Sequence, residues 1–244
     1  MKEILKVEIQ DVSVKKDEGY FPVLKNISFS LQPGNIYTII GKNGSGKSTL
    51  FKTIFRLLDI NFYKINCIII FKDRNIYELN DKELLILRKN KMKYVLQDAI
   101  GSFDPLKKFA YYFNSNNFRK EKIEGLSKYF LLPEFSVLSS LYPYEVSGGM
   151  AQRISILLSL MAEPELLLLD EPTSSLDVAI VNLLLYKLKS FVQSDNKTIL
   201  MVTQDILFAE KISSQIALLE NGRLSEFSAP EEFINKNKNL IPIE

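Results

Sequence analysis

Residues 41–49, Gly-Lys-Asn-Gly-Ser-Gly-Lys-Ser-Thr, fit the spacing G-x-x-x-x-G-K-[S/T]. Glycines at such spacing let successive backbone N–H groups turn inward around a phosphate. Lys47 can reach the β- and γ-phosphates of a nucleotide, and the Ser48 hydroxyl can ligate Mg²⁺. An apolar strand over 36–40 precedes the loop, and a helix over 47–58 follows, with Leu50, Ile54, Leu57 and Leu58 on one face. The dipole of that helix adds positive potential at the phosphate site. Gly41, Asn43, Gly44, Ser45, Gly46, Lys47, Ser48 and Thr49 are therefore the expected nucleotide-phosphate loop.

Leu166-Leu-Leu-Leu-Asp170-Glu171-Pro172 supplies the chemistry that a phosphate loop lacks. Four consecutive leucines require burial on both faces, hence a central parallel strand with Asp170 at its C-terminal edge. There a carboxylate can hold Mg²⁺ through water, and Glu171 can orient or deprotonate a hydrolytic water. Ser147-Gly148-Gly149-Met150-Ala151-Gln152 opens a helix with Ile154, Leu157, Leu158 and Met161 on one face. A Ser N-cap followed by two glycines exposes backbone donors, a second anion site in the same chain. The apolar run ending at residue 202 delivers Thr203, Gln204 and Asp205, and the chain contains no histidine.

These residues need a scaffold, and the patterning describes one. Short strands over 4–14 and 23–32 flank the polar stretch Lys15 to Gly19, and 66–71 is again strand-like. Asn80-Asp-Lys-Glu83 has the form of a capping box, opening a helix to about Asn90. A strand at 94–96 leads into Gln97. From Leu166 strands and helices alternate: strand 166–169, helix 178–193, strand 198–202, helix 205–212, strand 215–219, then a turn at Asn221-Gly222. The expected class is α/β: a P-loop NTPase core with a mostly parallel sheet, an N-terminal antiparallel β subdomain and an inserted α-helical subdomain. One domain spans 1–244, with 1–97 and 163–244 as core and 98–162 as the helical insertion. The run Phe109-Ala-Tyr-Tyr-Phe113, with Phe118, is either the core of that insertion or part of a groove for a partner helix.

Bulk properties narrow the function. A net charge of +2 gives no electrostatic case for nucleic acid, and Lys89, Lys91 and Lys93 read as a solvated helix end. The single cysteine, Cys67, reads as a buried core thiol and excludes a disulfide framework. The first ten residues lack a signal-peptide core. No run approaches the roughly 18 apolar residues that cross a bilayer, so a membrane role must come through partners.

In order along the chain, the phosphate loop, Gln97, Ser147–Gln152, Asp170-Glu171, Ser175-Leu176-Asp177 and residues 203–205 together resemble the ATP-binding cassette of ABC transporters. The resemblance implies two cassettes packed head to tail around two ATP molecules. Ser147, Gly148, Gly149 and Gln152 would then serve the ATP held on the partner, and Asp177 would couple the two sites. Gln97 would sense Mg²⁺ beside Ser48 and Asp170 and link to membrane subunits. Tyr20 and Phe21 are the candidates for stacking on adenine, with ordinary packing the equal alternative.

The stretch Gln97-Asp-Ala-Ile-Gly-Ser-Phe-Asp-Pro105, with Tyr142-Pro143 and Met150, is similar to the ATPases of oligopeptide, dipeptide and nickel importers. That likeness implies two transmembrane permease subunits, an extracellular or periplasmic solute-binding protein, and a peripheral position on the cytoplasmic face of the cell membrane. In the family histidine usually stands where this chain has Gln204. An amide can donate a hydrogen bond but cannot exchange a proton near neutral pH. A positioning role would make the change worth on the order of 1 kcal/mol, and a proton-shuttling role roughly 10²–10⁴-fold in rate. The expectation is a slow site with Glu171 and Gln204 as catalytic residues, in a heterodimer more readily than a homodimer. The alternative is a regulatory clamp that binds ATP without turnover.

Overall fold

The computed structural model describes residues 2–115, 118–193 and 197–238. Strands β1 (Leu5–Lys16) and β2 (Gly19–Leu31) form a long antiparallel hairpin. The polar stretch expected to separate them is mostly strand: Val14 pairs with Phe21 and Lys16 with Gly19. Charged side chains at a solvated hairpin tip leave backbone pairing undisturbed; Asp17 and Glu18 make the turn, and Gly19, at φ 127°, leads out of it. Strand β3 (Ile36–Ile40) enters the phosphate loop, and β4 (Tyr63–Phe71) pairs with the other edge of β1. Two-residue β5 (Arg74–Asn75) completes this four-stranded sheet in the order β2-β1-β4-β5.

Helix α1 (Lys47–Ile54) is shorter than its apolar spacing suggests. Arg56 takes a left-handed conformation at φ 51°, which stops the helix and leaves Leu57 exposed. The carbonyls freed there are met from afar. Helix α2 (Asp81–Asn90), started by the expected Asn80/Glu83 capping box, carries Arg88, whose guanidinium donates to the carbonyls of Phe55 and, at 3.0 Å, of Arg56.

The second sheet contains β6 (Met92–Val95), β7 (Leu166–Asp170), β8 (Thr198–Thr203), β9 (Gln215–Glu220) and β10 (Arg223–Leu224), with β3 inserted between β9 and β8. β9, β3, β8, β7 and β6 run parallel in that order, and β10 turns back antiparallel on β9. Strand alternation divides each apolar run between two cores. Leu166 and Leu168 face the layer of β1, α1 and β4, whereas Leu167 and Leu169 face the helical layer. Leu200 and Val202 of β8 join the first, Ile199 and Met201 the second.

Between β6 and β7 the described residues form the α-helices α3 (Phe109–Ser115), α4 (Lys120–Tyr129), α5 (Phe135–Ser140) and α6 (Gly148–Met161). The aromatic run splits by helix face. Phe109 and Phe113 are buried in the core with Phe118 against it, while Tyr111 is exposed. Helices α7 (Val178–Gln193), α8 (Ile206–Ile212) and α9 (Pro230–Lys236) complete the fold. Cys67 is half-buried rather than enclosed, because it sits on β4, whose alternate residues reach solvent. Burial pushes its thiol up to about 11, so it stays protonated at neutral pH. Of the basic cluster, Lys89 and Lys91 are exposed and Lys91 pairs with Glu165 at 2.8 Å, but Lys93 is half-buried and its pKa falls through desolvation.

Leu168 is fully buried at the centre of the parallel sheet. Leu168→Ala is expected to destabilise the chain by about 2–5 kcal/mol, read as a lower midpoint in urea unfolding.

Candidate nucleotide site

The site gathers where parallel strands end. β3 runs into the phosphate loop, β6 into Gln97, β7 into Asp170-Glu171, and β8 into Gln204. This is the edge of an open α/β sheet at which ligands bind. The loop bends through Gly44 at φ 80° and Gly46 at φ 105°, and a Cβ on Gly46 would stand 2.9 Å from Leu24 Cδ2. Only glycine suits that position, both in conformation and in space.

Lys47 is buried, and its ammonium donates to the carbonyls of Gly41 at 2.6 Å and Lys42 at 3.2 Å. It also lies 3.1 Å from Glu171 Oε1. Glu171 is 3% exposed and occupies the left-handed region at φ 47°, a conformation that costs a non-glycine residue on the order of 1 kcal/mol. Its N–H is anchored to the Val202 carbonyl at 2.9 Å, and its Oε2 accepts from the backbone N–H of Gln204 at 3.2 Å. The candidate base, the phosphate lysine and the residue after β8 thus meet at one carboxylate.

Asp170 is buried, and burial raises its pKa above the usual carboxylate value. Hydrogen bonding from Tyr94 and Ser48 works in the opposite direction, favouring the charged form. The Tyr94 hydroxyl donates to Asp170 Oδ2 at 2.8 Å, while Oδ1 completes no hydrogen bond among the described residues. A buried, unsatisfied carboxylate oxygen beside a serine hydroxyl is the donor chemistry of a hard divalent cation, so Asp170 and Ser48 fit Mg²⁺. No group of three or more His, Cys, Asp or Glu residues gathers among the described residues. A cation here would therefore depend on nucleotide oxygens for its remaining ligands, the usual habit of Mg²⁺.

Two clefts adjoin the loop. The smaller, about 210 Å³, is lined by Val23, Gly46, Lys47, Ser48, Gln97 and Glu171 among others. The larger, about 810 Å³, lies on the other side of the loop and includes Lys25, Asn43, Ser45, Gln204, Glu220 and Asn221. The side chain of Gln204 is exposed toward this second cleft while its backbone holds Glu171. Tyr20 and Phe21 line neither cleft. They are partly exposed near the hairpin tip, with Lys64 Nζ 4.1 Å above Tyr20 and Lys16 Nζ 5.2 Å from Phe21.

The Ser147–Gln152 segment forms a separate surface. Ser147 and Gly148 are exposed at the start of α6, where Ser147 Oγ accepts from the Met150 N–H at 3.2 Å. A Cβ on Gly149 would stand 2.6 Å from the Ser175 carbonyl, so the loop before α7 closes directly on this turn. Asp177 caps α7 by accepting from the Ile180 N–H at 3.0 Å and is otherwise exposed. None of these residues lines the two phosphate-loop clefts. Gln152 departs from expectation. At 1% exposure its side chain lies on the buried face of α6, turned into the protein by its place in the helix. Arg153 holds the turn instead, donating to the carbonyls of Gly149, Phe130 and Leu131. Sequence reasoning also passed over Tyr94, whose place beside Leu168 in the β6–β7 register brings it to Asp170.

The raised pKa of Asp170 has a signed consequence. A carboxyl that holds its proton more tightly when folded lowers stability as pH rises through its folded pKa. In the nucleotide-free chain, Asp170→Asn is expected to raise the thermal midpoint at pH 7, with the gain shrinking toward pH 4. Calorimetry across that range checks both the sign and its disappearance.

The family model for the ABC transporter matches residues 24–174. The dipeptide transport ATP-binding protein DppD of Lactococcus lactis is 30% identical over 94% of this chain and 68% of that protein. The oligopeptide transport ATP-binding protein AmiF of Streptococcus pneumoniae is 30% identical over 94% of this chain and 76% of its own length. Among solved structures, the dimeric bacterial ABC transporter cassette MJ0796 superimposes with a TM-score of 0.80 at 25% identity, covering 93% of this chain and 98% of that one. Phosphate loop, strand-end carboxylates and the overall match agree: the chain belongs to the ABC transporter family as its ATP-binding ATPase cassette.

Proposed function

We propose that this chain hydrolyses ATP to drive a peptide importer, working as one of two cassettes beneath a pair of permease subunits supplied by a solute-binding protein. The observation that carries this reading is the position of Glu171. Buried, 3.1 Å from the phosphate lysine and bonded to the Gln204 backbone, it can sense the γ-phosphate and hold a water against it. The phosphates of ATP would draw the Lys47 ammonium from Glu171, freeing that carboxylate to accept a proton from the attacking water. Lys47 and the loop N–H groups would steady the developing phosphate charge. Mg²⁺ held by Ser48 and Asp170, with Gln97 at the rim, would neutralise the phosphate oxygens.

The outward set Ser147, Gly148 and Gly149 supports a head-to-tail cassette pair, since these donors line neither phosphate-loop cleft of their own chain. Gln204 supports a hetero-pair in which this chain's site is the slower one. Exposed Leu85 and Ile86 on α2, with Leu106 and Tyr111 after Gln97, offer apolar surface to a permease helix. No helix among the described residues is long and apolar enough to cross a membrane, which suits a peripheral subunit on the cytoplasmic face. The names of the peptide-transport relatives favour peptides over nickel chelates as cargo.

Purification of the tagged chain from membranes is expected to recover permeases and a second, non-identical cassette, with ATPase activity stimulated by peptide. In that complex Glu171→Gln is expected to lower turnover by about 10²-fold or more. Gln204→His is expected to raise it by less than about tenfold. A rate unmoved by either change would instead identify a non-hydrolytic ATP clamp.

A further inference from the structure

The family match assigns no role to Tyr94, yet its hydroxyl reaches the buried edge of the site. Its ring is wedged between Phe51 at 5.6 Å and Phe55 at 5.4 Å, both on the segment that continues the phosphate loop. Its backbone is set by the parallel ladder, in which Tyr94 stands opposite Leu168, two residues before Asp170. With ring and backbone both held, the hydroxyl has one direction to point, and it donates to Asp170 Oδ2 at 2.8 Å.

We propose that Tyr94 is a positioning residue for the Mg²⁺ of this site: by occupying Oδ2 it turns Oδ1 of Asp170 toward the cation. The two oxygens of a free carboxylate are equivalent, and rotation about the Cβ–Cγ bond would exchange them. The Tyr94 hydrogen bond removes that equivalence. It leaves Oδ1 as the buried acceptor without a hydrogen-bond partner among the described residues. Groups that orient a metal-ligating carboxylate from behind typically carry about 10–100-fold in metal affinity. The ring contacts add a second consequence, since the same residue ties the Asp170 carboxylate to the helix that carries Lys47 and Ser48.

The inference rests on the proposed Mg²⁺–ATP site, and the test separates the two. ATP binding to the isolated full-length chain is titrated by fluorescence or calorimetry in EDTA and across a Mg²⁺ series. Tyr94→Phe keeps the ring and deletes only the hydroxyl. Its metal-free ATP affinity is expected to stay close to wild type, while half-saturation by Mg²⁺ rises about tenfold. In an Asp170→Asn background the same change is expected to have no further effect on Mg²⁺, because the amide no longer presents the charged ligand. A Mg²⁺ response in Tyr94→Phe equal to wild type, or an equal shift with and without the Asp170 carboxylate, overturns the role of Tyr94 and leaves the site reading intact. A wild-type chain whose ATP binding ignores Mg²⁺ overturns both. Should Tyr94→Phe fold poorly, Mn²⁺ bound to the wild-type site reports through its paramagnetic broadening. Broadening of the Tyr94 ring resonances no greater than that of a distant tyrosine would overturn the inference.

Discussion

One buried carboxylate organises the chemical end of this molecule. Glu171 faces the Lys47 ammonium with one oxygen and the Gln204 backbone with the other, within a shell that excludes most water. Both charges are nearly inaccessible, so neither tolerates loss of its partner, because an unpaired buried ion costs several kcal/mol. The arrangement is consequently poised. Anything that draws Lys47 away must supply negative charge of its own, and a nucleotide phosphate does so. The strained φ of Glu171 is held by the Val202 carbonyl on one side and by β7 on the other, so the parallel sheet itself sustains the conformation.

That dependence explains why the sheet is dry on both faces. β7 and β8 divide their leucines, isoleucines and valines between two cores, which leaves the strand ends as the place where polar groups can gather. Each strand contributes one element of the site at the same level: the phosphate loop, Gln97, the paired acids and Gln204. The first helix closes from below, with its C-terminal carbonyls capped by Arg88 of α2, so the position of the phosphate loop is coupled to a helix whose outer face is apolar and exposed. The Ser147–Gly149 turn and the Ser175 loop close on each other at Gly149, forming a second surface that lines neither phosphate-loop cleft.

Much of this was legible in residue spacing. The phosphate loop, the Asp-Glu pair after four leucines and the Ser-Gly-Gly turn are local patterns whose chemistry follows from neighbours a few positions apart. The antiparallel and parallel sheets followed from alternation and from the strand–helix rhythm after Leu166. Other features were not legible, each for a reason of tertiary contact. The apolar face over 47–58 continues past the true end of α1, where Arg56 turns left-handed and the freed carbonyls are met by Arg88, remote in sequence. Gln152 has the polarity of a site residue but the helical phase of a buried one. The aromatic run 109–113 left core and groove both open until packing assigned Phe109 and Phe113 inward and Tyr111 outward.

The sequence by itself determined that this chain binds a nucleotide phosphate at a strand end and which residue types would act there, because those signals lie within single turns and loops. Only the tertiary structure decided which polar groups meet. Tyr94 reaches Asp170, and Gln204 reaches Glu171, through the register of parallel strands joined by long crossovers. No local pattern encodes such a register. It is settled by the requirement that both faces of the sheet be buried at once, and that requirement aligns distant side chains at one edge.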